Sequence, residues 1–273
     1  MRTSDSIYGV TSWRGLLYTA GGMLCAINLI IFLLLHLVAA LSHFGLLPVD
    51  AAVNLLYLLQ LPASATDLLS RPWTLLTYMF VQYEFSHLLM NILWLWAFAF
   101  IIERSGVSLR RVVAIYIAGG LAGALAYILF APSSAPGLVG ASASITSLMG
   151  WILIAIPSQK VRLWLFGEVS LWVVVLFVLL IFILGGRAIS WGGHAAHLAG
   201  LAAGCSFGLY DRMRSVGRLF RNRGRGANRS SRVDSMTLDD ILDKVRRSGY
   251  GSLTRAERQR LFQVSSKPTD NQS

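Results

Sequence analysis

Six times along this chain an apolar run is long enough to cross a bilayer, which takes about 17–25 residues of helix. The runs cover residues 20–42, 86–102, 112–131, 138–156, 164–184 and 193–210. Charges or breaks rich in Gly, Pro and Ser bound each of them: "APSSAPG" follows the third, "IPSQK" the fourth and "GGRAISWGG" the fifth. Charged residues make up 14% of the chain against 55% hydrophobic, where a soluble domain carries roughly 25% charged. The expected class is an all-α polytopic membrane protein, a bundle of six transmembrane helices with a small helical tail. The first run has features of a leader, with Arg2 and Arg14 before it and "LVAALS" at its end. At about 20 residues it exceeds the 7–15 of a signal h-region, so it is read as a retained span.

The net charge of +11 matters less than its location, because 15 of the 24 Lys and Arg lie after Tyr210. Basic residues in the connections orient the bundle. Arg2, Arg14, Arg104, Arg110, Arg111, Lys160, Arg162 and the tail fall on one side, and only Arg71 and Arg187 on the other. Both termini are therefore expected in the cytoplasm, and spans two, four and six start at the outer face. The long outer connection, 42–85, holds "LLYLLQLP" and "LLSRPWTLLTYMF". It is amphipathic rather than polar, which predicts short helices lying in the interface.

Polar residues inside spans are costly and mark function by default. "HLLMN" sets His87 and Asn91 at i and i+4, on one face of span two. "GASAS" sets Ser142 near the start of span four, and "HAAHLAGLAAG" sets His194 and His197 at the start of span six. Each group lies about four to six residues in, roughly 6–9 Å at 1.5 Å per residue. Ser142, His197, His87 and Asn91 thus share one depth below the outer surface. A serine in an apolar helix is by itself most often a packing residue, and a lone histidine or an Asn is often interhelical glue. Taken together they suit nucleophilic chemistry: an imidazole can take the hydroxyl proton of Ser142. Asn91, His87 and the Ser142 backbone N–H can then face a developing oxyanion. No acidic residue shares that depth, so the reading is a dyad of Ser142 and His197. Gly200 and Gly204 form a small-xxx-small pair that permits the close helix approach such a dyad needs. Cys25 and Cys205 offer neither a disulfide framework nor metal-ligand spacing, and no metal or cofactor is expected.

With "HLLMN", "GASA" and "AHLAGLAAG" in this order and spacing, the chain resembles the rhomboid family of intramembrane serine proteases over residues 20–210. The resemblance implies a six-span core with Ser142 as nucleophile, His197 as general base, and His87 and Asn91 as oxyanion side chains. It also implies cleavage in or near transmembrane segments of membrane-protein substrates, at a bacterial inner membrane. In its terms the 42–85 stretch looks like the membrane-embedded first loop, and the fifth span like a mobile substrate gate. Three positions depart from the family pattern: Ala143 where glycine is common, Thr146 where many members stack a tyrosine on the histidine, and Thr74 where Trp-Arg would continue from Trp73. None of the three removes a reacting group.

The domain reading is a cytoplasmic N-terminus (1–19), the core (20–210), a basic juxtamembrane linker (211–235), a helical tail module (236–264) and a disordered end (265–273). The linker, "DRMRSVGRLFRNRGRGANRSSR", is expected to meet anionic lipid headgroups, and no nucleic acid is expected. Thr237 with Asp240 and Thr254 with Glu257 are N-cap patterns. Leu238, Ile241, Leu242 and Val245 can meet Leu253, Leu261 and Phe262 across the Gly249–Gly251 break. Two other functions compete with proteolysis. One is a non-catalytic rhomboid-like protein that binds client transmembrane helices. The other is a small transporter relaying protons through histidines, which lacks carboxylates midway through any span.

Overall fold

Lipid offers no partner to backbone N–H and C=O groups, so an apolar run embedded in it closes its hydrogen bonds within a helix. The computed structural model describes residues 18–163, 167–184, 191–234 and 238–265, and each of the six apolar runs carries a helix. In chain order these are α1 (Ala20–His43), α2 (Ala51–Leu59), α3 (Ala65–Ser70), α4 (Thr74–Thr77), α5 (Phe85–Arg104), α6 (Leu109–Phe130) and α7 (Ser142–Ala155). A hairpin of β1 (Lys160–Leu163) and β2 (Gly167–Ser170) follows, then α8 (Leu171–Leu184), α9 (Trp191–Asp234), α10 (Leu238–Ser248) and α11 (Arg255–Ser265). Helices α1, α5 and α6 are long and apolar enough to cross a membrane on length and composition alone. The chain divides into two units after Arg212.

The first unit is built around α7. Every residue of α7 from Ala143 to Ile152 is buried, so the helix presents no polar solvent-facing stripe, and its hydroxyls from Ser144 to Ser147 turn to partners inside the bundle. Small residues let its neighbours close in: a Cβ added at Gly119 would strike Ser147, and one at Gly123 would lie 2.6 Å from Ala143 Cβ. Outward faces carry exposed Ile30, Leu33, Phe177 and Leu180, as lipid-facing positions do. At one end Asp211 joins three helices. It accepts from Arg111 Nη2 at 2.8 Å and from Trp151 Nε1 at 2.9 Å, while the Arg111 guanidinium lies over the Phe207 ring.

The 42–85 connection forms the expected short helices, and side chains order it. Arg71 Nη1 donates to the Tyr57 carbonyl, Trp73 Nε1 to Leu58 O at 2.8 Å, and Thr77 Oγ1 to Leu59 O at 2.7 Å. Three consecutive carbonyls at the end of α2, which have no intrahelical donor, are thereby satisfied. Trp73 thus has a structural partner even though Thr74 follows it where arginine would continue the family motif.

Three boundaries differ from the sequence reading. The fourth helix begins at Ser142, not 138, because Gly140 adopts φ +119° and breaks the helical path. The fifth begins at Leu171, not 164, because 167–170 pair antiparallel with 160–163, Val161 opposite Val169. Residues 211–234, within the stretch read as a basic juxtamembrane linker, continue α9 as helix; arginine is a good helix former and outweighs the scattered glycines.

In the second unit α10 and α11 form the expected hairpin about Gly249, at φ +76°. Thr254 and Glu257 close a reciprocal cap: Thr254 N donates to Glu257 Oε2 at 2.7 Å, and Glu257 N to Thr254 Oγ1 at 3.4 Å. Ile241 and Leu253 are buried, but Leu242 and Phe262 are exposed and do not join the small core, since two eleven-residue helices have only one face each to bury. Arg2, Arg14, Arg187, Thr237, the side chains of the 216–234 segment and the end beyond 265 lie outside the described residues. With them lies the expected lipid contact of the linker.

Candidate functional site

Ser142 is placed by the extended segment before it. Leu61 and Leu138 exchange backbone hydrogen bonds at 3.0 and 2.8 Å, and Gly140 N donates to Tyr78 O at 2.9 Å. Tyr78 in turn donates from its hydroxyl to Gly120 O at 2.7 Å. The connection after α4 and the helix α6 thus hold residue 140, and α7 starts two residues later with Ser142 as its first residue. The backbone N–H groups of that first turn have no intrahelical acceptors. They give the helix start a partial positive charge beside the Ser142 hydroxyl.

His197 comes from α9. Its Nε2 lies 2.8 Å from Ser142 Oγ, hydrogen-bond distance for a hydroxyl donating to a neutral imidazole. The approach depends on missing side chains. A Cβ at Gly200 would collide with the Ala143 carbonyl, one at Gly204 with the Ser147 carbonyl, and one at Gly150 with Leu201 O. Thr146 Oγ1 sits at the same crossing, 2.8 Å from Ala143 O and 2.9 Å from His197 O. His194 is half-buried one turn earlier on α9, and its Nδ1 has no hydrogen-bond partner.

His87 and Asn91 point to the same place from α5. A Cβ added at Gly140 would lie 2.8 Å from His87 Cε1, 3.1 Å from His87 Nε2 and 3.8 Å from Asn91 Nδ2. That crowding, with the positive φ, explains glycine at this position. Asn91 is buried, yet its Nδ2 has no partner. An unpaired buried donor costs about 1–3 kcal/mol and leaves an N–H available to an oxygen arriving from outside the chain.

Ser144 does not share this site. It is fully buried with Oγ 3.8 Å from Met79 Sδ, on the α6 side of α7. Among the described residues no group of His, Cys, Asp and Glu is arranged to hold a metal.

The arrangement joins a hydroxyl, an imidazole, an unpaired amide and a helix N-terminus, the parts that acyl transfer requires. Two neighbours of the site were not singled out in the sequence: Tyr78, within "TLLTYMF", and Phe182, within the fifth run. The Phe182 ring lies 5.8 Å from the His197 imidazole at 70°. Only helix packing could reveal either.

A family model described as the Rhomboid domain matches residues 69–214, more than half of the chain. A second, described as a family of unknown function (DUF6576), matches residues 228–267. The chain is similar to the rhomboid protease GluP of Bacillus subtilis (strain 168), with 32% identity over 134 residues. The match covers 48% of this chain and 24% of that protein's length.

Proposed function

The chain belongs to the rhomboid family and is an integral membrane protein, and on that premise we propose that it is an intramembrane serine endopeptidase using Ser142 and His197. The observation that carries this reading is the 2.8 Å contact between Ser142 Oγ and His197 Nε2. Ser142 gives its proton to His197 Nε2 as Oγ bonds to the scissile carbonyl carbon. The carbonyl oxygen becomes an oxyanion facing Asn91, His87 and the first N–H groups of α7. Collapse of this adduct breaks the C–N bond, and His197 returns the proton to the leaving amine. Water, activated by the same imidazole, then releases the acyl group.

Its substrates are segments of other membrane proteins, a reading supported by the family match and by the apolar helices that carry the site; the six helices are read as spans with both termini in the cytoplasm of a bacterial inner membrane. Binding client helices without cutting them would require no hydroxyl–imidazole contact and no unpaired amide beside it. The test is labelling of the membrane-embedded protein with a fluorophosphonate. Label should appear on wild type and on Ser144→Ala and be absent from Ser142→Ala. Labelling that survives in Ser142→Ala removes the nucleophile assignment.

A further inference from the structure

Glu84, the N-cap residue of α5, stands with His87 and Asn91 at i, i+3 and i+7, a spacing that sets three side chains in one stripe of a helix. Burial falls outward along the stripe: Asn91 is buried, His87 half-buried and Glu84 exposed. The two deeper members face Gly140, two residues before Ser142, and Asn91 Nδ2 is buried there without a partner. At 1.5 Å per residue, Glu84 lies about 4.5 Å outward of His87 along the α5 axis.

The backbone at Glu84 fixes the direction of its side chain. With φ -91° and ψ 135° it is extended, so Tyr83 and Phe85 point to the side opposite Glu84. Both of those rings turn to α1: Tyr83 stacks on His36 at 5.8 Å, and Phe85 lies 6.4 Å from Phe32. Glu84 therefore faces away from α1, on the side where α5 meets Gly140. Its carboxylate makes no capping hydrogen bond, and among the described residues no Lys or Arg pairs with it. The 42–85 connection holds one basic residue, Arg71, and it does not offset this charge. Arg71 is 5% exposed, lies over the Tyr57 ring and donates to the Tyr57 carbonyl, while Asp50 and Asp67 are exposed.

We propose that Glu84 is a specificity-determining residue that selects substrates carrying a cationic group, a lysine, an arginine or a free α-amine, on the outer side of the scissile bond. This rests on the reading of Ser142 and His197 as nucleophile and base. An extended peptide advances about 3.3–3.6 Å per residue, so a side chain about one to three residues beyond the reacting carbonyl comes level with Glu84. A carboxylate there draws in a cation and repels an acidic flank. The outer flanks of membrane proteins are poor in Lys and Arg, so this preference separates a minority of clients from most spans in the membrane.

The test uses the full-length protein in zwitterionic lipid vesicles and three fluorophosphonates with tails of one length, ending in an ammonium, a neutral amide or a carboxylate. In labelling, Ser142 Oγ bonds to phosphorus, the P–F bond breaks, fluoride departs and His197 takes the hydroxyl proton. The readout is the ratio of second-order labelling rates among the probes within each protein, from which any general change in rate cancels. On wild type the ammonium probe should lead the amide by about two- to fivefold, and the carboxylate should trail it by as much, the size of an exposed ion pair. The spread should shrink in about 1 M salt, where the Debye length is about 3 Å. Glu84→Gln should bring the ratios close to one, Glu84→Lys should reverse their order, and Asp67→Asn should keep the wild-type order. If Glu84→Lys fails to fold, the Gln variant still decides the matter. Equal rates on wild type, a spread indifferent to salt, one that persists in Glu84→Gln, or one that Asp67→Asn removes as fully overturns the proposal. A wild-type protein that none of the probes labels beyond Ser142→Ala instead removes the underlying protease reading.

Discussion

Gly200→Ala should separate Ser142 from His197 without altering either residue. The added Cβ would fall on the Ala143 carbonyl oxygen and 2.6 Å from Thr146 Oγ1, where ordinary contact begins at 3.4 Å. The carbonyl belongs to helix backbone and already accepts from Thr146 at 2.8 Å, so it cannot turn aside. Helix α9 must therefore retreat from α7 by about 0.8 Å for the hydroxyl alone, and further for the carbonyl. The 2.8 Å contact of Ser142 with His197 then opens to about 3.6 Å, beyond the reach of about 2.6–3.2 Å that proton transfer requires. A misplacement near 1 Å costs on the order of 10²-fold in rate, and overpacking of this kind costs about 1–3 kcal/mol in stability. The assay is the rate of fluorophosphonate incorporation at Ser142, read beside the thermal unfolding midpoint. Leu198→Ala serves as control, since Leu198 is exposed on the same helix and its loss should change neither. A Gly200→Ala protein that labels and unfolds like wild type would refute the close-approach argument.

His197→Ala should abolish cleavage and His194→Ala should lower it by about tenfold at most, with Asn91→Ala losing about 10²–10³-fold as one oxyanion donor; an active His197→Ala beside a dead His194→Ala reverses the assignment of the base. In the tail, Lys244 Nζ donates to both Glu257 oxygens at 2.8 and 2.9 Å, and this pairing with the Thr254 cap holds the Glu257 carboxyl below its ordinary value. A lowered folded-state value means the contribution is complete above the ordinary value of 4.5 and is lost as pH falls through the lower one. Amide protection in α11, corrected for intrinsic exchange, should thus be flat from neutral pH to about 5 and decline below about 4. Glu257→Gln should be poorly protected throughout, and equal protection in both proteins would dismiss the pair. For orientation, Val49→Cys in intact cells should react with an impermeant thiol reagent, and Arg223→Cys only after lysis; equal external reaction would contradict cytoplasmic termini.

Much of the site was legible because its signals are local. The i, i+4 spacing of His87 and Asn91 puts them on one helix face whatever surrounds it, and Gly200 with Gly204 marks a face without bulk. The likeness of "HLLMN", "GASA" and "AHLAGLAAG" to the rhomboid family was readable for the same reason. The start of α7 was misplaced by four residues because periodicity registers apolar residues such as Leu138 and Val139 but not the φ of Gly140. The fifth helix was drawn seven residues early because Trp164, Leu165 and Phe166 lead by composition into the apolar run, while the pairing of 160–163 with 167–170 is a matter of strand contacts that composition does not register.

The sequence by itself settled that the chain is helical and lies in a membrane, since burying so many apolar side chains with so few charges leaves the backbone little alternative in any tertiary context. It also specified which faces of the helices carry polar groups. Tertiary structure alone decided which faces meet. The Arg71, Trp73 and Thr77 contacts to the carbonyls of α2, the hold of Tyr78 on Gly140, and the ring of Phe182 against His197 all join positions whose partners no local pattern names. Their pairing follows from the fit of side-chain volumes across helix crossings, and that fit belongs to the packed bundle and not to any one segment of it.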